Sequence, residues 1–319
     1  TRPAVPQAFG LVTVGDLAGD DVAFLPRLGA AIADLVTGSP ADLLPDGPVS
    51  LTVTVGLGPR VLAARSPGSV GSQALPAFAH DGTIEESASG GDLLLAVHAA
   101  DPTVLAPVTD RLTGLVPGYR GRWSQRCFRG PSLADQDTII RNPFGFHDNI
   151  QIPHTDQELS ENTWLDGVMS GGTICVIRRL RLDTTRFRAL PVGRREEIIG
   201  RRLDGSPLSG GAPFAEVAVN AKAPDGAYLI PANAHVRAAH PSFTGSNLML
   251  RRGYAYDDGA GESGLLFISF QRDLRTFVMT QRRLDDIDDL MTFTTPTASA
   301  TFLVLPGYDE QKPLGWELQ

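Results

Sequence analysis

Apolar positions along the chain fall into two rhythms, one of period two and one near 3.6. Phe9–Val14 (FGLVTV) has the apolar and β-branched content of a strand. Phe24–Val36 carries Phe24, Leu28, Ala31, Ile32 and Leu35 at helical spacing, and Gly38 then stops it. Ser50–Gly58 (SLTVTVGLG) alternates strictly, with Leu51, Val53 and Val55 on one face. Residues 64–91 are rich in Gly, Ser, Pro and Ala and read as a long loop. Gly90–Ala99 (GGDLLLAVHA) is the next strand. Asp101 is the N-cap of a helix expected from Pro102 to about Leu115, and a further strand follows near 120–130. This β-α-β-β-α-β order is that of a ferredoxin-like unit.

The second half repeats the style. Residues 130–163 are mostly loop, and Gly171–Leu182 (GGTICVIRRLRL) is a strong strand. Arg195–Arg202 is expected as a helix ending near a glycine-rich turn, and residues 203–247 as largely irregular. Leu248–Tyr256 and Gly264–Gln271 are expected strands, Leu284–Phe293 an acidic helix, and TFLVLPG the strand that closes the sheet. The expected class is therefore α+β, with two ferredoxin-like antiparallel sheet units and peripheral helices. The boundary falls near 130, giving units of residues 1–130 and 131–319. No short tandem repeat is present.

Composition narrows the function classes. The chain has 319 residues, 42% hydrophobic and 20% charged, ordinary for a globular protein with a sizeable core. Its 28 basic and 36 acidic residues give a net charge of −8, which argues against nucleic acid as the main partner. No run of about 20 apolar residues exists, so no membrane span is expected. The two cysteines, Cys127 and Cys175, cannot form a C-x-x-C metal site. One disulfide is open to them, but two buried thiols are the simpler reading.

The candidate chemistry gathers around Gly145–Asn149 (GFHDN), which follows the turn signal Asn142-Pro143. The second half supplies His235 in AHVRAAHP and Arg251 in MLRRGYAYDDG. An acid, a histidine and an arginine from three segments are compatible with a metal or haem site. They are equally compatible with three unrelated residues, since a histidine taken alone is usually a packed or solvated side chain.

An ordered set of segments decides between these readings. VTVGLG, GGDLLLAVHAADP, NPFGFHDN, GGTICVIRRLRLD, EEIIGRRLDGSPL, AHVRAAHP, MLRRGYAYDDG, GLLFISFQRD and FLVLPGY run in one order over nearly the whole chain. In this the chain resembles the dye-decolourising peroxidases, haem enzymes with two ferredoxin-like halves, and most of all their secreted bacterial branch. The resemblance implies one haem b per chain, held in the C-terminal half. It implies oxidation of dyes, phenols or similar donors by hydrogen peroxide through a ferryl intermediate. It also implies export by the twin-arginine route, with a cytoplasmic location as the alternative. A homo-oligomer is compatible with it.

Residue by residue, His235 matches the proximal haem ligand, with His240 as the rival should the register differ. Asp288 matches the acid that would fix its tautomer. Asp148 matches the distal acid and Arg251 the distal arginine. The family's GxxDG here ends in Asn149, a residue that tolerates left-handed backbone angles. Leu265 and Phe267, on one face of their strand, are expected to line the distal pocket, and Arg202 and Arg237 to hold the propionates. Trp123, Trp164, Trp316 and the five tyrosines are candidates for relaying electrons, with packing as the commoner role; His80, His98 and His154 read as structural. Two rivals follow from the same residues. One is a haem-binding or haem-handling protein with little peroxidase turnover. The other is a non-haem enzyme using His147, Asp148 and His154 as metal ligands.

Overall fold

The structure, a computed structural model, describes residues 5–133 and 139–318. The first half runs β1 (Phe9–Asp16), α1 (Leu25–Val36), β2 (Thr52–Leu57), α2 (Pro59–Arg65), β3 (Leu93–Ala99), α3 (Leu105–Thr113) and β4 (Arg120–Phe128). Its strands lie side by side in the order β2-β3-β1-β4, all antiparallel. The second half begins with a small hairpin of β5 (Ile140–Arg141) and β6 (His147–Asp148), followed by α4 (Asp156–Asn162). It continues with β7 (Thr173–Leu182), α5 (Thr184–Arg188), α6 (Val192–Ile199), α7 (His235–Ala238) and α8 (Pro241–Thr244). The last elements are β8 (Leu250–Arg251), β9 (Tyr254–Asp257), β10 (Ser263–Gln271), α9 (Leu274–Ile287) and β11 (Thr294–Val304).

In this half β11-β7-β10-β9 repeats the strand order of the first. The two sheets meet at β2–β11, where Leu57 faces Leu303, and at β4–β9, where Phe128 faces Ala255. Eight strands thereby close into a barrel-like antiparallel sheet, the α+β arrangement expected from the element order.

Alternation along the strands builds two separate cores. Val12, Leu94, Cys127, Ile177, Leu266 and Phe302 point to one side and form a single cluster inside the barrel. Leu93, Leu95 and Val97 of β3 point the other way, against Leu28 and Leu35 of α1 and Val108 and Leu112 of α3. Both cysteines are buried and free, and burial pushes both thiols well above the ordinary range. No helix among the described residues is long and apolar enough to cross a membrane.

Three expectations need correction. The acidic helix placed at Leu284–Phe293 is α9, Leu274–Ile287, followed by a 3-10 turn at Asp289–Phe293. Asp288 divides them: its backbone is extended, and its carboxylate accepts the Leu290 N–H at 2.9 Å. The buried stripe of α9 includes Thr276, Thr280 and Gln281, so its apolar rhythm is faint in the sequence. The single strand expected at Leu248–Tyr256 is interrupted between β8 and β9 at Arg252-Gly253, where Gly253 passes close to Leu265 of β10. The stretches read as loop or irregular contain short elements: α2 reaches into residues 64–91, β5, β6 and α4 lie in 130–163, and α7 and α8 lie in 203–247. Helices of four residues are too short to show a period.

A cluster of phenylalanines anchors the β5–β6 hairpin. Phe187, fully buried, lies 4.5 Å from Phe144, 6.2 Å from Phe146 and 5.3 Å from Phe293, between ring centroids. Phe187→Leu removes these ring contacts and leaves a partial void, and is expected to destabilise the protein by about 1–2 kcal/mol. Urea unfolding checks this: the midpoint falls while the slope stays at the parent value.

Candidate active site

The hairpin sets the acid. Asn142-Pro143-Phe144-Gly145 forms a tight turn, with the Gly145 N–H donating to Asn142 O at 2.8 Å and Pro143 at the second position. Gly145 has φ 90° and turns the chain back at a conformation glycine adopts freely. Phe144 and Phe146 are buried in the phenylalanine cluster, which fixes the register Ile140↔Asp148. Asn149 has φ 62°, so the residue in place of the family's glycine holds the left-handed turn. Its N–H donates to Asp148 Oδ1 at 2.6 Å.

Arg251 reaches the same carboxylate from β8. Its Nη2 lies 3.3 Å from Asp148 Oδ1 and its Nη1 donates to Gln151 O at 3.1 Å. Burial alone would raise the pKa of Asp148. The charge of Arg251, the Asn149 N–H and the charge of His235 outweigh it, so the net pKa lies below the ordinary carboxylate value.

His235 opens α7, and its Nδ1 donates to Asp288 Oδ2 at 2.6 Å. The Asp288 side chain is wholly buried, while that of His235 keeps 37% of its surface. A carboxylate acceptor on Nδ1 fixes the proton there and leaves the Nε2 lone pair as the free ligand atom. Burial would lower the pKa of His235; the Asp288 carboxylate more than offsets this and raises it.

One cavity of about 210 Å³ joins these groups: His235, Asp148, Arg251, Leu265 and Phe267 all line it. Its floor is apolar, from Phe144, Leu180, Leu182 and Ile199, and α9 covers it with Phe277, Thr280, Gln281 and Leu284. Five expected residues therefore share the cavity, and Asp288 stands directly behind one of them.

The two expected carboxylate holders do not. Arg202 is exposed, and it does not line the cavity. Helix α6 ends on Gly200, whose left-handed φ of 92° turns the next residue inward, so Arg201 lines the cavity instead. Arg201 is buried and donates through Nη1 to Gly205 O and Ala215 O at 3.0 and 2.9 Å. No carboxylate among the described residues pairs with it, and desolvation lowers its pKa to about 10. Arg237 is buried elsewhere, with its guanidinium 3.7 Å from the centre of the Tyr228 ring and a hydrogen bond to Ile230 O. Arg178, also on the cavity wall, was not singled out from the sequence, because it sits in a strand rich in arginine. A glycine-terminated helix was the available clue to Arg201.

The rival assignments fare differently. His240 caps α8 through Nδ1 and does not line the cavity. His154 is exposed and held by Ile150 O at 3.1 Å, while His147 packs edge-on against Phe214. Among the described residues no three His, Cys, Asp or Glu side chains are placed to hold a metal ion, which removes the support for the non-haem cluster.

Comparison with known proteins gives a consistent result. A family model described as "Dyp-type peroxidase, C-terminal" matches residues 140–309. The "Dye-decolorizing peroxidase" of Thermobifida fusca is 36% identical over 298 residues, covering 85% of this chain and 68% of the relative. A protein named deferrochelatase from Yersinia pestis is 30% identical over 328 residues, covering 94% and 72%. The crystal structure of a DyP-type peroxidase from Cellulomonas bogoriensis superposes with a TM-score of 0.89 at 34% identity, over 99% of this chain and 94% of that one. An oxyferrous complex of DtpA from Streptomyces lividans gives 0.90 at 30% identity, over 99% and 95%. With the matched segment enclosing His235, Asp148 and Arg251 and the whole fold superposing, the chain belongs to the DyP-type peroxidase family.

Proposed function

We propose that the cavity holds one haem b, whose iron His235 would hold through Nε2, and that the protein reduces hydrogen peroxide at the expense of organic donors. The observation that carries this is the His235–Asp288 pair, which presents a free imidazole nitrogen to the same cavity as the Asp148–Arg251 pair. The rest of the lining fits the group. The apolar floor suits the macrocycle, and Arg201, a buried cation with no acidic partner among the described residues, suits a propionate. Haem, when bound, supplies the redox chemistry, taking two oxidising equivalents from peroxide and returning them one at a time to donors.

The chain's own residues manage the protons and the charge. Asp148, ionised and facing the cavity, accepts the proton of peroxide and returns it to the departing oxygen. Arg251 stabilises the hydroperoxide anion and the charge growing on that oxygen. Asp288 holds the His235 ring in its tautomer and increases its basicity. The family relation places peroxide and a reducing substrate as the partners.

Haem-reconstituted protein given hydrogen peroxide and a simple phenol tests the reading: sustained oxidation of the phenol supports it, and haem binding without turnover refutes it. The latter result would favour haem handling, a second reading that the deferrochelatase relatives keep in view.

The direction of the Asp148 shift gives a pH prediction. Its folded pKa is depressed, so the carboxylate, and the stability it contributes with Arg251, persist above the ordinary value of about 3.9 and are lost as pH falls through the lower folded value. The rate of reaction with peroxide is expected to be flat from neutrality down to about pH 4 and to fall only below it. Stopped-flow rates across pH measure this; an inflection between pH 6 and 7 would assign the proton acceptor to another group.

A further inference from the structure

His235 stands on an element that cannot hold itself in place. Helix α7 is four residues long, and its N-cap, Ala234, offers no side chain to the free N–H groups. On the side away from the cavity Arg237 lies on Tyr228. Towards the cavity, the His235–Asp288 bond of 2.6 Å crosses from this helix to the turn that follows α9. Asp288 is fixed on its own side, because its Oδ1 accepts the Leu290 N–H. What remains to be set is how the segment of His235 approaches it.

The next residue, Asp289, sets that approach. Its N–H donates to Asn233 O at 3.1 Å, and its Oδ2 accepts from Asn233 Nδ2 at 2.7 Å. Asn233 lies two residues before His235, so the two segments are clasped in both directions beside the His235–Asp288 bond.

The same Oδ2 accepts from Arg194 Nη2 at 2.6 Å. Arg194 lies in the first turn of α6, where the helix dipole disfavours a cation, and its Nη1 donates to Glu197 Oε2 at 3.1 Å. Helix α6 ends at Gly200 and delivers Arg201 to the cavity. Asp289 therefore joins the segment that carries the imidazole to the helix that carries the buried cation, without lining the cavity itself. Arg194 and Asp289 are both partly exposed, so their ion pair adds little to stability, and what it supplies is geometry.

We propose that Asp289 is a positioning residue for His235. With Asn233 and Arg194 it holds the His235–Asp288 bond short, and so sets how basic the Nε2 lone pair is towards the iron. The proposal rests on the reading of His235 as the residue that holds haem. Asp289 acts through Asp288 and His235, and takes no proton from peroxide.

The test compares Asp289→Ala, which removes both side-chain bonds, with Asp289→Asn, which keeps an acceptor for Asn233. Resonance Raman spectra of the ferrous haem-loaded protein read the iron–histidine stretch, which falls when the Nδ1 bond weakens. The stretch is expected to fall in Asp289→Ala and to return towards the parental frequency in Asp289→Asn. Asn233→Ala, which leaves Asp289 on Arg194, is expected to lower it as well. Transfer of haem to apomyoglobin is expected to be about tenfold faster from Asp289→Ala than from the parent. A role in stability alone would lower the unfolding midpoint and leave the stretch in place. A stretch unmoved in Asp289→Ala and Asn233→Ala, or moved equally in Asp289→Ala and Asp289→Asn, would overturn the proposal. If the parent shows no iron–histidine stretch, the haem reading fails, and proton NMR of the haem-free chain still decides on the clasp. The Nδ1 proton of the 2.6 Å bond is expected far downfield and should move upfield in Asp289→Ala; an unmoved resonance would overturn the proposal there too.

Discussion

His235→Ala is expected to abolish the Soret absorbance of haem-reconstituted protein and all peroxide-dependent donor oxidation with it. His235 presents to the cavity the imidazole nitrogen that Asp288 leaves free, and the rival His240 faces away and is engaged in capping α8. Without the His235 imidazole the cavity would lose the nitrogen that holds the iron. The substitution also strips Asp288, whose side chain is wholly buried, of its imidazole partner, a loss worth about 1–3 kcal/mol. His235→Gln separates the two effects, because it keeps a donor for Asp288 and lacks the imidazole. The account expects His235→Gln to fold with near-parental stability and still to lack a parental Soret band. A parental spectrum in both variants would assign the ligand elsewhere.

Arg251→Ala carries the second large effect. Arg251 is the cation in contact with the Asp148 carboxylate, and it also ties β8 to Gln151 O. Removing a preorganised donor from the place where charge develops is expected to lower kcat/KM for peroxide by about 10²–10³-fold, or about 2.7–4 kcal/mol. The same change acts on Asp148. Arg251 is the strongest of the influences that hold its pKa down, and without it the burial that opposes them gains weight. The acid limb of the pH profile is therefore expected to move upward in Arg251→Ala, towards neutrality. Arg251→Lys, which keeps the charge but not the forked contact, should recover part of the rate and most of the pH shift. Stopped-flow mixing with peroxide at several pH values reads both effects. A variant slower than the parent with an unmoved profile would mean that Arg251 does not set the state of Asp148.

Much of this arrangement was legible in the sequence because its signals are local. The strict alternation of Ser50–Gly58 and the apolar run of Gly171–Leu182 mark β2 and β7 directly. The Asn142-Pro143 turn signal marks the chain reversal before Asp148, although the β5–β6 hairpin around it lay in a stretch read as loop, and Asn149 keeps the backbone angle that the family's glycine would supply. What stayed hidden depends on contacts between distant segments. The stripe of α9 is built partly from Thr and Gln, so only the packed structure shows which face is buried. Arg201 and Arg202 are indistinguishable by composition, and the left-handed turn at Gly200 alone decides which one enters the cavity. Arg237, expected to hold a propionate, follows His235 by two residues, about half a helical turn, and therefore lies on the other side of α7, against Tyr228. The contacts of Arg178 with Asp81 and Phe78 join segments about a hundred residues apart and have no signature in either.

The central claim is that His235, Asp148 and Arg251 form one peroxide-reducing site. Stopped-flow absorbance of the haem-loaded protein mixed with one equivalent of hydrogen peroxide, beside Asp148→Asn, tests it most directly. The account predicts a rapid shift of the Soret band in the parent protein and a shift slower by about 10²-fold or more in the variant. A Soret band that stays in place, or one that shifts equally fast in both proteins, would contradict it.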